Sequence, residues 1–189
     1  MSNTTREVLF TIGYVAVGLI AVVAVGYLTY HKGFFHSSEP MLSFLILGLM
    51  GALIYASVRM RGAGYAVLMI ALWCLVRAAL NGDLLSLEAP AMYALPVGFA
   101  LMAAAYVQKS LSRLKFGRFI SMGLIVGIGY ALYILVYLIM GGGGIRLGTV
   151  WNQTFLGAKL GAAMGLGFEL IDLIGSRPEH EPRPGPGRW

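Results

Sequence analysis

Charge is scarce in this sequence. Of its 189 residues only 12% are Asp, Glu, Lys or Arg, against about 25% in a typical soluble domain. That scarcity excludes an ordinary water-soluble enzyme, and it excludes a charge-rich disordered chain as well. Cysteine is scarcer still. Cys74 stands alone inside an apolar run, so no internal disulfide and no cysteine-based metal centre can form. The three histidines, His31, His36 and His180, all lie outside the long apolar runs, which removes paired haem ligands within such runs. There is no HExxH, GxGxxG or P-loop pattern. Ser43, Ser57, Ser86, Ser110, Ser112 and Ser121 have no histidine in the same apolar surroundings to form a nucleophilic dyad. No cofactor and no metal is implied.

What the sequence has in abundance is hydrocarbon. Apolar residues make up 58% of the chain and the mean hydropathy is +0.78. Six apolar segments stand out: 8–30, 41–58, 62–80, 91–107, 119–140 and 150–174. Each is long enough to cross a hydrocarbon core of about 30 Å as a helix. Only helices and closed barrels satisfy every backbone group in lipid. Barrel strands alternate strictly, whereas these runs are continuously apolar. The expectation is an all-α, polytopic membrane protein, one domain over 1–175 with six transmembrane helices in a lipid bilayer. The proline- and charge-rich stretch 176–189 reads as a disordered tail. The first run exceeds the usual 7–15-residue core of a signal peptide, so it reads as a retained span despite the small-residue triplet Ala24-Val25-Gly26.

The net charge of +6 is distributed by loop. With the N-terminus inside, the cytoplasmic side holds Arg6, Arg59, Arg61, Lys109, Arg113, Lys115, Arg118, Arg177, Arg183 and Arg188, and the outer side only Lys32, Arg77 and Arg146. Such asymmetry is the positive-inside pattern, and an even number of spans places both termini in the cytoplasm. Localisation in a plasma (inner) membrane is the natural expectation. No solvated domain remains to present a basic face to nucleic acid, so that partner is excluded.

Lipid offers little hydrophobic drive for helix association, and small residues supply close contact instead. Gly123 and Gly127 in the fifth segment, and Gly157, Gly161 and Gly165 in the sixth, repeat every four residues. They form an interface either between these two helices or with a partner subunit. Gly48, Gly51 and Ala52 suggest a similar contact in the second segment.

Ionisable groups inside spans are costly and therefore mark candidate sites. Lys159 lies about nine residues, roughly 13 Å, from the outer start of its helix. It either snorkels outward or acts as a counter-ion for an anionic ligand or a buried acid. Arg77, near the outer end of the third segment, is expected to pair with Asp83 or Glu88 in the following loop. Trp73, one turn deeper, is placed to stack on Arg77 or on a ligand. Tyr130, Tyr133 and Tyr137 follow helical spacing as one stripe, and Asn152, Gln153 and Thr154 open the sixth segment at the same level. The Gly141–Gly144 run before it reads as a turn. On the cytoplasmic side, Glu169 and Asp172 stand three apart on one helix face. Ion pairing with the nearby basic residues is their expected role, with a cytoplasmic partner as the alternative.

Three functional readings follow. The first is a solute-binding or uptake component whose outer residues Trp73, Arg77, Tyr130, Tyr133, Tyr137, Asn152 and Lys159 favour an anionic small molecule. In general outline, with six spans, about 190 residues, internal termini and an outer polar cluster, the chain resembles the substrate-capture subunits of energy-coupling-factor transporters. That resemblance is architectural and carries over no residue. It implies an ATP-driven partner subunit, since the sequence has no nucleotide site. The second reading is an accessory or assembly subunit of a larger membrane complex, docked through the glycine faces. A membrane-embedded enzyme comes last, because no acid–base pair can be assembled from these residues.

Overall fold

The structure, a computed structural model, describes residues 3–30, 38–82, 88–110, 117–140 and 146–175. Six helices account for nearly all of them: α1 (Asn3–Tyr30), α2 (Ser38–Met60), α3 (Ala63–Leu80), α4 (Glu88–Ser110), α5 (Gly117–Met140) and α6 (Leu147–Gly175). Each contains a stretch long and apolar enough to cross a bilayer. The chain is an all-helical integral membrane bundle. The histidines, Asp83, the Gly141–Gly144 run and the tail from 176 lie outside the described residues.

Side-chain contacts fix the helix directions. Tyr14, in the first half of α1, meets Asp172 near the end of α6, and the same carboxylate meets Tyr55 and Arg59 near the end of α2. Tyr30, at the other end of α1, shares a cavity with residues from the start of α2, the end of α3 and the starts of α4 and α6. The helices thus alternate in direction. Residues 3 and 175 lie at one face, here the terminal face; the opposite side is the far face.

Helix ends are set by local chemistry. The link between α2 and α3 was expected at Arg59-Met60-Arg61, but α2 continues through Met60 and only Arg61 and Gly62 connect the helices. The Gly62 amide donates back to the Ser57 carbonyl at 2.7 Å, with φ at +97°, a region that side-chain-bearing residues rarely adopt. Such a short link forces an antiparallel hairpin. α4 begins at Glu88, ahead of the expected boundary at 91, because Pro90 falls in the first turn where a missing N–H costs nothing. Pro96 lies within the same helix, and its neighbour α5 approaches closely there: a β-carbon on Gly129 would sit 3.1 Å from the Pro96 carbonyl oxygen.

α5 packs along both α6 and α4, and α1 packs on α2 and α6, while α2 also contacts α3 and α4. Leu47, Ile54, Tyr55, Trp73, Leu101, Met122, Leu160, Met164 and Phe168 form the fully buried centre. The perimeter is apolar instead of polar: Ile20, Leu28, Leu124 and Ile174 are each more than 60% exposed. In water that surface would be an extended sticky patch, and in hydrocarbon it is ordinary.

Backbones meet closely where glycine allows it. A β-carbon on Gly161 would stand 2.6 Å from the Met122 carbonyl oxygen, and one on Gly157 would overlap the Tyr130 ring at 2.6 Å. Gly123 and Gly127 face Ala158, Ala162 and Thr154 of α6, and Gly165 faces Phe119 and Met122 of α5. Gly18 and Gly48 make a second crossing, between α1 and α2: a β-carbon on either would approach the other's carbonyl oxygen within 2.9 Å. Gly48 was legible as a packing residue in the sequence; its partner on α1 was not.

Candidate functional site

At the far face a cavity of about 240 Å³ is lined by residues from all six helices. Tyr30 comes from the end of α1, Ser43 and Phe44 from the start of α2, and Arg77 from the last turn of α3. Tyr93 comes from the start of α4, Tyr130, Tyr133 and Ile134 from α5, and Gln153 and Leu156 from the first turns of α6. Helix alternation gathers these positions in the far-face half of the bundle, with Tyr130 the deepest of them on α5.

Arg77 is half-buried. Its Nη1 donates to Ser43 Oγ at 2.9 Å, and its guanidinium carbon lies 5.3 Å from the centre of the Tyr93 ring, within cation–π range. The expected ion pair with the α3–α4 loop is not formed with Glu88, which is exposed on the first turn of α4. No ion pair joins Arg77 to an acid whose side chain the structure describes, a set that leaves out Glu39 and Asp83. A guanidinium carries five N–H donors, and a single hydroxyl oxygen satisfies only part of them.

Tyr93 is the hub of the aromatic wall. Its ring stands nearly perpendicular to those of Trp73, Tyr130 and Tyr133, at centroid distances of 5.6, 5.9 and 4.9 Å. Its hydroxyl shares a 2.7 Å hydrogen bond with that of Tyr130. Two of the expected site residues lie off the cavity lining. Trp73 is wholly buried behind Tyr93, so it supports the wall and neither stacks on Arg77 nor lines the cavity. Tyr137 is 53% exposed and touches only the outer side of the stripe, its ring 6.2 Å from that of Tyr133.

Asn152 and Lys159 line a neighbouring recess of about 300 Å³ with Thr29, Tyr30, Gln153, Phe155 and Leu156. Tyr30, Gln153 and Leu156 border both spaces. Lys159 is exposed on the outer side of α6, and its ammonium lies 4.6 Å from the centre of the Phe155 ring, one turn toward the far face. That direction follows from the lean of helical side chains toward the N-terminus. The seven residues expected to form one cluster therefore divide: Arg77, Tyr130 and Tyr133 line the cavity, Asn152 and Lys159 the adjoining recess, and Trp73 and Tyr137 neither. Sequence reasoning missed Ser43, Phe44 and the wall-forming roles of Tyr30 and Tyr93. The usable signal was their position, because each is a polar or aromatic group at the far-face end of a span.

The terminal face carries a different arrangement. Both oxygens of the Asp172 carboxylate are engaged. Tyr14 donates its hydroxyl to Oδ1 in a short hydrogen bond. Oδ2 accepts from the Tyr55 hydroxyl at 3.1 Å and from Arg59 Nη2 at 3.0 Å. Phe168, one turn earlier on α6, packs against both tyrosine rings, at centroid distances of 5.6 and 4.5 Å. Glu169 is only 7% exposed. A carboxylate so fully satisfied ties α1, α2 and α6 together. Among the described residues no three His, Cys, Asp or Glu side chains gather closely enough to hold a metal ion.

The two ends of the bundle thus differ in kind: a closed ionic knot at the terminal face, and an open, aromatic-walled cation at the far face. Comparison of the chain with protein-family models, with curated proteins and with solved structures finds no match.

Proposed function

We propose that this chain is a membrane-embedded solute-binding component of a plasma membrane that takes a small anionic molecule into the Arg77 cavity from the far face, the outer side on the positive-inside pattern of Lys and Arg. One observation carries the reading. Arg77 is held in place by Ser43 and Tyr93 at the wall of a cavity, and no acid whose side chain is described pairs with it. A guanidinium so placed is suited to a carboxylate or phosphate, which it can grip through two parallel N–H donors. Low-dielectric surroundings strengthen that attraction relative to water. The volume of about 240 Å³ falls below the roughly 300–1,000 Å³ of drug-sized ligand pockets, so the ligand is small. Tyr30, Phe44, Tyr93 and Tyr133 would surround its uncharged part. Since the sequence has no nucleotide site, uphill uptake would require an energised partner subunit. An accessory subunit docked through glycine is less well supported, because Gly123, Gly127, Gly157, Gly161 and Gly165 face the partner helix within the α5–α6 pair.

A thermal-shift screen of purified protein against small carboxylates and phosphates tests this. A ligand at one hundred times its Kd adds about 2.7 kcal/mol to stability, a readily measured rise in Tm. Arg77→Gln should abolish the response and Lys159→Gln should retain it. Failure of every compound to shift the parent, or an equal response from Arg77→Gln, refutes the proposal.

A further inference from the structure

On the terminal face, α1 and α3 flank α2 and leave a groove of about 330 Å³ between them. Its deeper part is largely apolar, formed by Val8 and Ile12 of α1, Leu53 and Ala56 of α2, and Met69 of α3, with the Thr11 and Ser57 side chains among them. Its outer rim is mostly polar: Thr4, Glu7, Arg61 and Tyr65, with Met60 beside them. Such a gradient, from methylene-lined to hydrogen-bonding within one groove, matches the order of chemistry through one leaflet of a bilayer.

The rim holds two opposite charges that form a loose, solvent-exposed ion pair. Arg61 Nη2 and Glu7 Oε2 stand 3.7 Å apart, beyond hydrogen-bond range, and their side chains are 57% and 41% exposed. The guanidinium is steadied by the Tyr65 ring, 5.4 Å from its centre. The Glu7 backbone is fixed too, since its carbonyl accepts from Thr11 Oγ1 at 2.9 Å. The arrangement presents a cation and an anion side by side at the end of an apolar slot. A phosphate bonds well to guanidinium N–H groups, and a primary ammonium bonds well to a carboxylate through its own N–H donors.

We infer that this groove is a binding site for a phospholipid whose headgroup joins a phosphate to a primary ammonium, with the phosphate on Arg61, the ammonium on Glu7 and the first part of an acyl chain along Val8, Ile12, Leu53 and Met69. A headgroup bearing a quaternary ammonium satisfies Arg61 but has no N–H for Glu7. An anionic headgroup without an amine meets Glu7 as a like charge. The complementarity is specific to the amine-bearing zwitterion. This site is independent of the Arg77 cavity at the opposite face.

The test is native mass spectrometry of the protein released from nanodiscs containing equimolar phosphatidylethanolamine, phosphatidylcholine and phosphatidylglycerol. The parent should retain one phosphatidylethanolamine in about tenfold preference to either competitor, the discrimination expected of a charge-assisted hydrogen bond. Glu7→Gln, a conservative change on an exposed side chain, should remove the preference over phosphatidylcholine while a lipid is still retained. Arg61→Ala should lose retention, and Met69→Trp, which fills the slot, should lose it with both rim charges intact. Equal retention of the three lipids by the parent, preference for phosphatidylglycerol, or undiminished retention by Met69→Trp would each overturn the assignment.

Discussion

Asp172→Asn is the most informative single substitution in this bundle, since the carboxylate joins three helices through Tyr14, Tyr55 and Arg59. The change keeps shape and one acceptor oxygen but removes the charge, and it turns an N–H₂ toward groups that are themselves donors. Breaking a fully buried ion pair costs about 3–5 kcal/mol, and an exposed one about 0–1. Here the side chains are 28% exposed for Arg59 and 10% for Asp172, so the Coulombic part is discounted for partial screening. With one weakened hydroxyl contact included, the expected loss is about 2–4 kcal/mol. Arg59→Met should cost somewhat less, because the remaining carboxylate keeps both tyrosine hydroxyls. In the double variant neither charge is stranded and the amide oxygen still accepts from a tyrosine. Its loss should therefore fall about 2 kcal/mol short of the sum of the singles. Unfolding by sodium dodecyl sulfate in mixed micelles, followed by circular dichroism, measures all three. Additivity within about 0.5 kcal/mol would refute the account of this cluster as an ionic tie.

Two further outcomes are expected. Gly161→Ala should destabilise by about 1–3 kcal/mol through overpacking, because its β-carbon meets the Met122 backbone and the Val126 side chain. Gly148→Ala, where nothing lies within 4 Å, should be neutral or slightly stabilising in the same unfolding assay, and equal effects would remove the packing argument. In a Cys74→Ala background, Gly64→Cys should react with an impermeant maleimide only from the cytoplasmic side and Asn81→Cys only from outside, both positions being exposed at helix ends. The reverse pattern would invert the orientation drawn from the basic residues.

The number and kind of helices were legible because hydropathy is a local property: each run of about 20 apolar residues declares itself without reference to the rest. Boundaries were less so. Asn3–Glu7 and Ser38–Pro40 are polar and drop out of a hydropathy reading, yet they continue the helical ladder past the hydrocarbon edge. The site divided along the same line. Arg77 and the Tyr130–Tyr133 pair stand out as polar groups in apolar runs. What each touches depends on other helices: Ser43 is 34 residues from Arg77, and Tyr93 is 37 from Tyr130. Arg59 counted in the sequence as a topological marker, and only the fold makes it the partner of Asp172. Tyr14 and Tyr55 carried a faint signal, as hydroxyl-bearing rings away from the outer membrane boundary, but no periodicity links residues so far apart.

The knot at Asp172 also has a meaning for how the chain is made. Arg59 and its counter-ion are separated by 113 residues, and Tyr14 is 158 residues from the same carboxylate. During synthesis the first two helices reach the membrane with a guanidinium and two phenols whose acceptor is still unbuilt. Only when α6 arrives is that layer electrically complete, so a nascent polypeptide stopped before residue 172 is chemically distinguishable from one that has passed it. Any machinery that senses stranded charge within membranes would meet, in this protein, a signal that α6 has been built.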